Sequence, residues 1–261
     1  MESTEISANN NSHFSGNFSK YGRYEVENDL EFYLPATKIK FSKLGEGKFS
    51  YNRTNFQNEI IQKVIAVRPK GLEIEISPAL PIHLPAYKTD FMFLRLATPL
   101  HIGKSASTEF NVAMPIEIGI YITDKETAYP IDYLLCPPSY SKYGLYGQPE
   151  SGRLCKYAKI SIDGNEKETP FAFGTMQLRI HNELHRGVSI GQIVFPITDH
   201  DIYYSDTAAV IDPLEVIVKE RLGLDFLEMK NATRNLPKWS KASRDMPKTD
   251  FKFSMENGFD K

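Results

Sequence analysis

A mainly β fold is what this sequence predicts: an antiparallel β-sandwich or barrel-like body, few short helices, and loose N- and C-terminal tails. Three observations carry that expectation. Apolar residues alternate with polar ones at period two in many short runs. Pro, Gly, Asn and Asp punctuate those runs at short intervals, as a sandwich or barrel requires. Strands alternating with long amphipathic helices, the mark of a parallel sheet, do not appear.

The clearest runs are Gly71–Ser77 (GLEIEIS) and Ile116–Thr123 (IEIGIYIT). In the first, Leu72, Ile74 and Ile76 share one face and Glu73 and Glu75 the other, which predicts a half-buried strand. In the second, Ile116, Ile118, Ile120 and Ile122 turn inward. Weaker alternation marks Leu30–Tyr33, Ile39–Phe41, Val64–Val67, Phe91–Leu96, Phe110–Met114, Tyr157–Ile162, Met176–Ile180 and Val188–Phe195. Gly45-Glu46-Gly47-Lys48 reads as a hairpin turn. Asp212-Pro213-Leu214-Glu215 carries helix-start signals, yet Val216-Ile217-Val218 is a β-branched run; the strand-rich neighbourhood tilts this segment toward strand.

The 261 residues suit one body or two packed β subdomains over 17–235, between flexible tails at 1–16 and 236–261. The polar Met1–Phe14 and the aperiodic Pro237–Lys261 cannot order themselves alone, although Trp239, Phe251 and Phe253 could dock elsewhere. A net charge of −2 supplies no global field for nucleic acid, so no nucleic-acid partner is expected. Charges and prolines interrupt every apolar run, so no membrane span is expected, nor a secretory signal. A soluble cytoplasmic protein is the simplest expectation, with Cys136 and Cys155 as free thiols.

The hexapeptides SKYGRY (19–24) and SKYGLY (141–146) differ at one position, but their flanks do not align. A duplicated domain would carry its periodicity along, so the repeat reads as two similar approaches to a strand. The second copy lies in Cys136–Lys159, CPPSYSKYGLYGQPESGRLCKYAK, which is rich in tyrosine, turn formers and cations. Long loops on a rigid sheet carry binding sites, and tyrosines offer flat amphipathic contact area. Tyr143, Tyr146, Arg153, Lys156 and Tyr157 are therefore the candidate residues for a non-enzymatic module that binds a protein partner or small ligand.

The alternative is a metal-dependent enzyme. His181, Glu183 and His185 would share a face of a strand, and a hairpin through Gly187 would bring them to Asp199 and His200. The His181–His185 stretch lacks the glutamate placement of a zinc-protease helix. No esterase elbow, phosphate loop or thiol-protease signature exists, and no cofactor is implied.

The Tyr21-Gly22-Arg23-Tyr24-Glu25 stretch, the Met114-Pro115 break and Leu145-Tyr146-Gly147 running into Glu150–Tyr157 resemble an uncharacterised archaeal domain-of-unknown-function family. The resemblance covers roughly Phe18–Asn231. It implies a microbial cytoplasmic protein and brings no activity, cofactor or site residue.

Overall fold

In a computed structural model the described residues are 18–55, 59–68, 71–125, 127–162 and 169–245. The expected tail 1–16 lies outside them, as do Phe251 and Phe253. The fold is mainly β: strands make up 64% of the described residues, whose one helical element is a single 3-10 turn, Ile197–Asp199.

The first five strands are β1 (Gly22–Val26), β2 (Asp29–Leu34), β3 (Thr37–Gly45), β4 (Lys48–Asn55) and β5 (Ile60–Ala66). Then come β6 (Leu72–Ala79), β7 (Phe91–Ile102), β8 (Ser107–Pro115), β9 (Glu117–Asp124) and β10 (Thr127–Leu134). β11 (Tyr143–Tyr146), β12 (Arg153–Ile160), β13 (Phe173–Asn182) and β14 (Val188–Pro196) follow. The last four are β15 (Ile202–Ser205), β16 (Ala208–Arg221), β17 (Leu224–Asn231) and β18 (Ser240–Lys241). Each alternating run named above falls largely within a strand. The Asp212–Leu222 ambiguity resolves to strand: Pro213 and Leu214 sit mid-way along β16, where β13 and β17 flank it.

Four sheets result. One has the order β1-β6-β9-β10, and a contiguous meander runs β2-β3-β4-β5 with the expected hairpin at Gly45–Lys48. A third has the order β11-β12-β7-β14, and the fourth runs β18-β15-β16-β13-β8 with β17 also on β16. Two neighbouring pairs, β12 with β7 and β13 with β16, are parallel within the otherwise antiparallel pattern. The chain returns to them through strands of other sheets, so parallel neighbours arise here without crossover helices.

The isoleucine face of the first sheet looks onto the meander. Tyr24 packs edge-on to Phe32, and the buried Tyr51 hydroxyl donates to Asp132 Oδ2 at 2.6 Å. Arg53 joins the same carboxylate at 3.2 Å. Phe32, Ile39, Phe41, Phe49, Ile74, Ile76, Ile118 and Ile120 are all fully enclosed there, in a core that runs on through all four sheets.

The opposite face of that sheet departs from expectation. Glu73 is exposed, but Glu75 is only 1% exposed, as are Glu117 and Tyr121 on β9. Glu75 is buried because the chain covers it. Arg23 Nε, the Ser243 backbone N–H and the Ser243 hydroxyl all donate to its carboxylate at 2.9 Å. Part of residues 236–245 supplies this cover. β18 pairs with β15, Ala242 is buried, and Lys241 reaches Asp201.

Gly119 on β9 permits that second covered face. A methyl group placed on it would lie 2.4–2.6 Å from the ring and hydroxyl of the buried Tyr121. Gly119→Ala is expected to destabilise by about 2–3 kcal/mol through overpacking, read by urea unfolding. A loss under about 0.5 kcal/mol would show that Tyr121 has room to retreat.

Candidate functional site

A concavity of about 1140 Å³ lies over one face of the β11-β12-β7-β14 sheet, with β17 as its wall. Alternation decides which side chains reach it. On β7 it selects Phe91 and Arg95, with Phe93 buried beneath them on the same face, while Met92 and Leu94 turn into the core. The parallel register sets Tyr157 beside Phe93 and Lys159 beside Arg95. The antiparallel hairpin sets Tyr146 opposite Arg153, so both share that face.

The aromatic groups form a connected floor. Phe93 meets Tyr146 and Tyr157 edge-to-face, at centroid distances of 5.6 Å and 5.4 Å. Gly144 makes room for this, since a Cβ there would meet Tyr157 at 3.3 Å and Phe93 at 3.4 Å. The Arg153 guanidinium lies 4.1 Å from the centroid of Phe91. β17 contributes Phe226 at the rim and Asp225, whose carboxylate is taken by Arg186 at 2.5 Å. Arg95, Arg153 and Lys159 have no carboxylate within ion-pair distance among the described residues.

The five sequence-selected residues therefore divide. Tyr146, Arg153 and Tyr157 line the groove; Tyr143 and Lys156, opposite each other on the hairpin, face the other way. The Tyr143 hydroxyl donates to the Ala86 carbonyl. Lys156, 3% exposed, donates to the Leu84 carbonyl and lies 2.6 Å from the Ser141 hydroxyl oxygen. Its ammonium position is 4.2 Å from the centroid of the Tyr143 ring. Burial pulls the Lys156 amine down to about 8, against the opposing pull of Glu117.

Glu117 is the hub beneath. Its carboxylate accepts the backbone N–H groups of His83 and Leu84, both at 3.0 Å, and pairs with His83 Nδ1 at 2.9 Å. The His83 ring stacks flat on Tyr133 at 3.8 Å. The hairpin is thereby tied to residues 83–86 on one side while its other side floors the groove. The two cysteines are free and buried, and burial raises the Cys136 thiol to about 12, which leaves it unreactive.

The His/Asp alternative does not assemble. β13 pairs with β8 and β16, and β14 with β7, so the two strands form no hairpin through Gly187. His181 sits between Ser107 at 2.8 Å and Glu215 at 3.2 Å. β13 ends at Asn182, leaving Glu183 and His185 on a turn and out of the shared strand face. Asp199 lies in the 3-10 turn, and His200 is fully buried with its ring edge-on to Phe195. Burial lowers the His200 pKa, with Asp212 and Asp199 opposing. Among the described residues no three His, Cys, Asp or Glu side chains gather to hold a metal ion.

Phe91, Arg95, Lys159 and Phe226 in the groove, and Ser141, His83 and Glu117 behind it, escaped selection from the sequence. Arg95 continues the alternation of Phe91 and Phe93, the one signal that could have found it. Residues 20–256 match a family described as Protein of unknown function (DUF432). No curated protein and no solved structure matches the chain.

Proposed function

The chain belongs to the DUF432 family, a family of unknown function, and from that premise we propose a ligand-binding β module whose binding surface is the groove over β7, β11 and β12. One observation carries the reading: Arg95, Arg153 and Lys159 share a single sheet face with Phe91, Tyr146 and Tyr157, and no carboxylate among the described residues lies within ion-pair distance of them. Stacking surface beside uncompensated positive charge suits a compact ligand that joins a flat ring to a phosphate or carboxylate. The two free buried thiols suit a reducing compartment, and we place the protein in the cytoplasm of an archaeal cell, in line with its family resemblance.

Isothermal titration with adenosine monophosphate at low salt tests the reading. Saturable binding is expected, weaker for adenosine alone and for inorganic phosphate alone. Arg153→Ala should weaken it about tenfold, the loss of one charge-assisted contact. Tyr143→Ala, on the far face, should leave affinity unchanged in the folded protein. No saturable heat, or equal affinity for wild type and Arg153→Ala, overturns the assignment.

A further inference from the structure

Three neighbouring strands of the fourth sheet carry an arrangement that the groove does not use. β8, β13 and β16 lie side by side, with Ser107 opposite His181 on one flank and Ile217 opposite it on the other. Glu215, two residues before Ile217, shares the same face. Ser107 Oγ lies 2.8 Å from His181 Nδ1, and His181 Nε2 lies 3.2 Å from Glu215 Oε1. A hydroxyl, an imidazole and a carboxylate therefore stand in line. Among the described residues no carbonyl competes for the Ser107 hydroxyl. The carboxylate also selects the tautomer: with Nε2–H turned toward Glu215, Nδ1 keeps its lone pair and accepts from the serine.

The trio is held from behind. The buried Asn182 side chain donates to the Gly103 and Arg186 carbonyls, both at 2.8 Å, and accepts the Leu184 N–H at 3.0 Å. One side chain thus ties the turn that delivers Ser107 to the end of the strand that delivers His181. In front, a concavity of about 550 Å³ opens to solvent, lined also by Ser105, Ile217 and Lys230. β8 is the outer strand of its sheet. The Asn182 N–H donates to the Ala106 carbonyl at 2.9 Å, the bond that flanks a non-hydrogen-bonded pair. The Ser107 N–H accordingly points away from β13, toward the open edge.

We propose that Ser107, His181 and Glu215 form a triad that hydrolyses short acyl esters with acidic alcohol leaving groups. Ser107 is the nucleophile and His181 the base, within hydrogen-bond reach of each other. Glu215 is a positioning residue, which holds the ring and offsets the charge of the imidazolium. The Ser107 N–H is the donor to the oxyanion. The concavity has the volume of a small-molecule site and stands open to water, the second substrate.

Acylation breaks the Ser107 Oγ–H bond, and its proton passes to His181 Nδ1 while Oγ bonds to the acyl carbon. Collapse of the tetrahedral species breaks the bond to the leaving oxygen, which takes the proton from Nδ1. Water then adds to the seryl ester and gives its proton to Nδ1. The carboxylic acid departs as Oγ recovers that proton.

This site shares no lining residue with the groove, so neither reading depends on the other. The intact chain is treated with diisopropyl fluorophosphate, which loses fluoride on attachment, and the adduct is located by peptide mass spectrometry. Labelling is expected at Ser107. Ser107→Ala should abolish it, and His181→Gln should slow it about 100-fold. In turnover of p-nitrophenyl acetate, Glu215→Gln should lower kcat about tenfold and leave KM unchanged, a split that a merely structural role would not give. All three side chains reach solvent, so these variants are expected to keep the urea midpoint of the wild type. No adduct on Ser107, an adduct elsewhere only, equal labelling of His181→Gln, or an unaltered kcat in Glu215→Gln overturns the proposal.

Discussion

Replacing Glu117 with alanine should cost the fold about 3–5 kcal/mol, because three donors lose their acceptor together. The carboxylate is 1% exposed, so water cannot step in at once for the His83 and Leu84 N–H groups. The His83 ring, 6% exposed and stacked on Tyr133, loses the charge that fixes its orientation. The segment at residues 83–86, which carries the carbonyls used by Lys156 and Tyr143, loses its anchor with it. Urea unfolding measures the loss directly. Glu117→Gln, which keeps one acceptor oxygen, should lose roughly half as much. A cost below about 1 kcal/mol for the alanine variant would mean that residues 83–86 hold their place unaided.

The second large effect depends on pH. Lys156 ionises near 8 in the folded chain and near 10.5 when unfolded. Below pH 8 both states carry the proton, and the fold bears the whole cost of enclosing a cation. Between about 8 and 10.5 only the unfolded chain still binds it, so the contribution of this residue to stability improves as pH rises. Relative to Lys156→Met, the wild type should therefore gain about 3 kcal/mol on going from pH 7 to pH 10.5. Matched unfolding curves of the two proteins at each pH cancel the titration of the tyrosines they share. A difference that does not move with pH would place the amine of Lys156 in contact with water.

Much of the fold is legible in period-two alternation, because strands buried on one face write that face into every second residue. Ile74, Ile76, Ile118 and Ile120 needed no further information. Glu75 misled for a definite reason: its neighbour Glu73 is solvated, and the cover over Glu75 comes from Ser243, 168 residues away. The hairpin of β11 and β12 shows the opposite case. Alternation alone separates Arg153 and Tyr157 from Lys156, but reading residues 136–159 as one irregular loop hid that division. The groove needed more still, since Lys159 meets Arg95 only through a parallel pairing of distant strands, which no local pattern encodes. His181 and His200 were grouped on an assumed β13–β14 hairpin, and the chain instead sends those strands to different sheets.

The cover over Glu75 also bears on the order of assembly. The meander of β2 to β5 is contiguous in the chain and can close while synthesis is still under way. The sheet beside it cannot finish in that way. Its strands come from residues 22–26, 72–79 and 117–134, and its outer acid waits for Ser243. Until that late stretch emerges, a carboxylate and the flank of a sheet stay open to solvent. A nascent chain thus depends on the stretch around Ser243 to seal what strands more than a hundred residues earlier began.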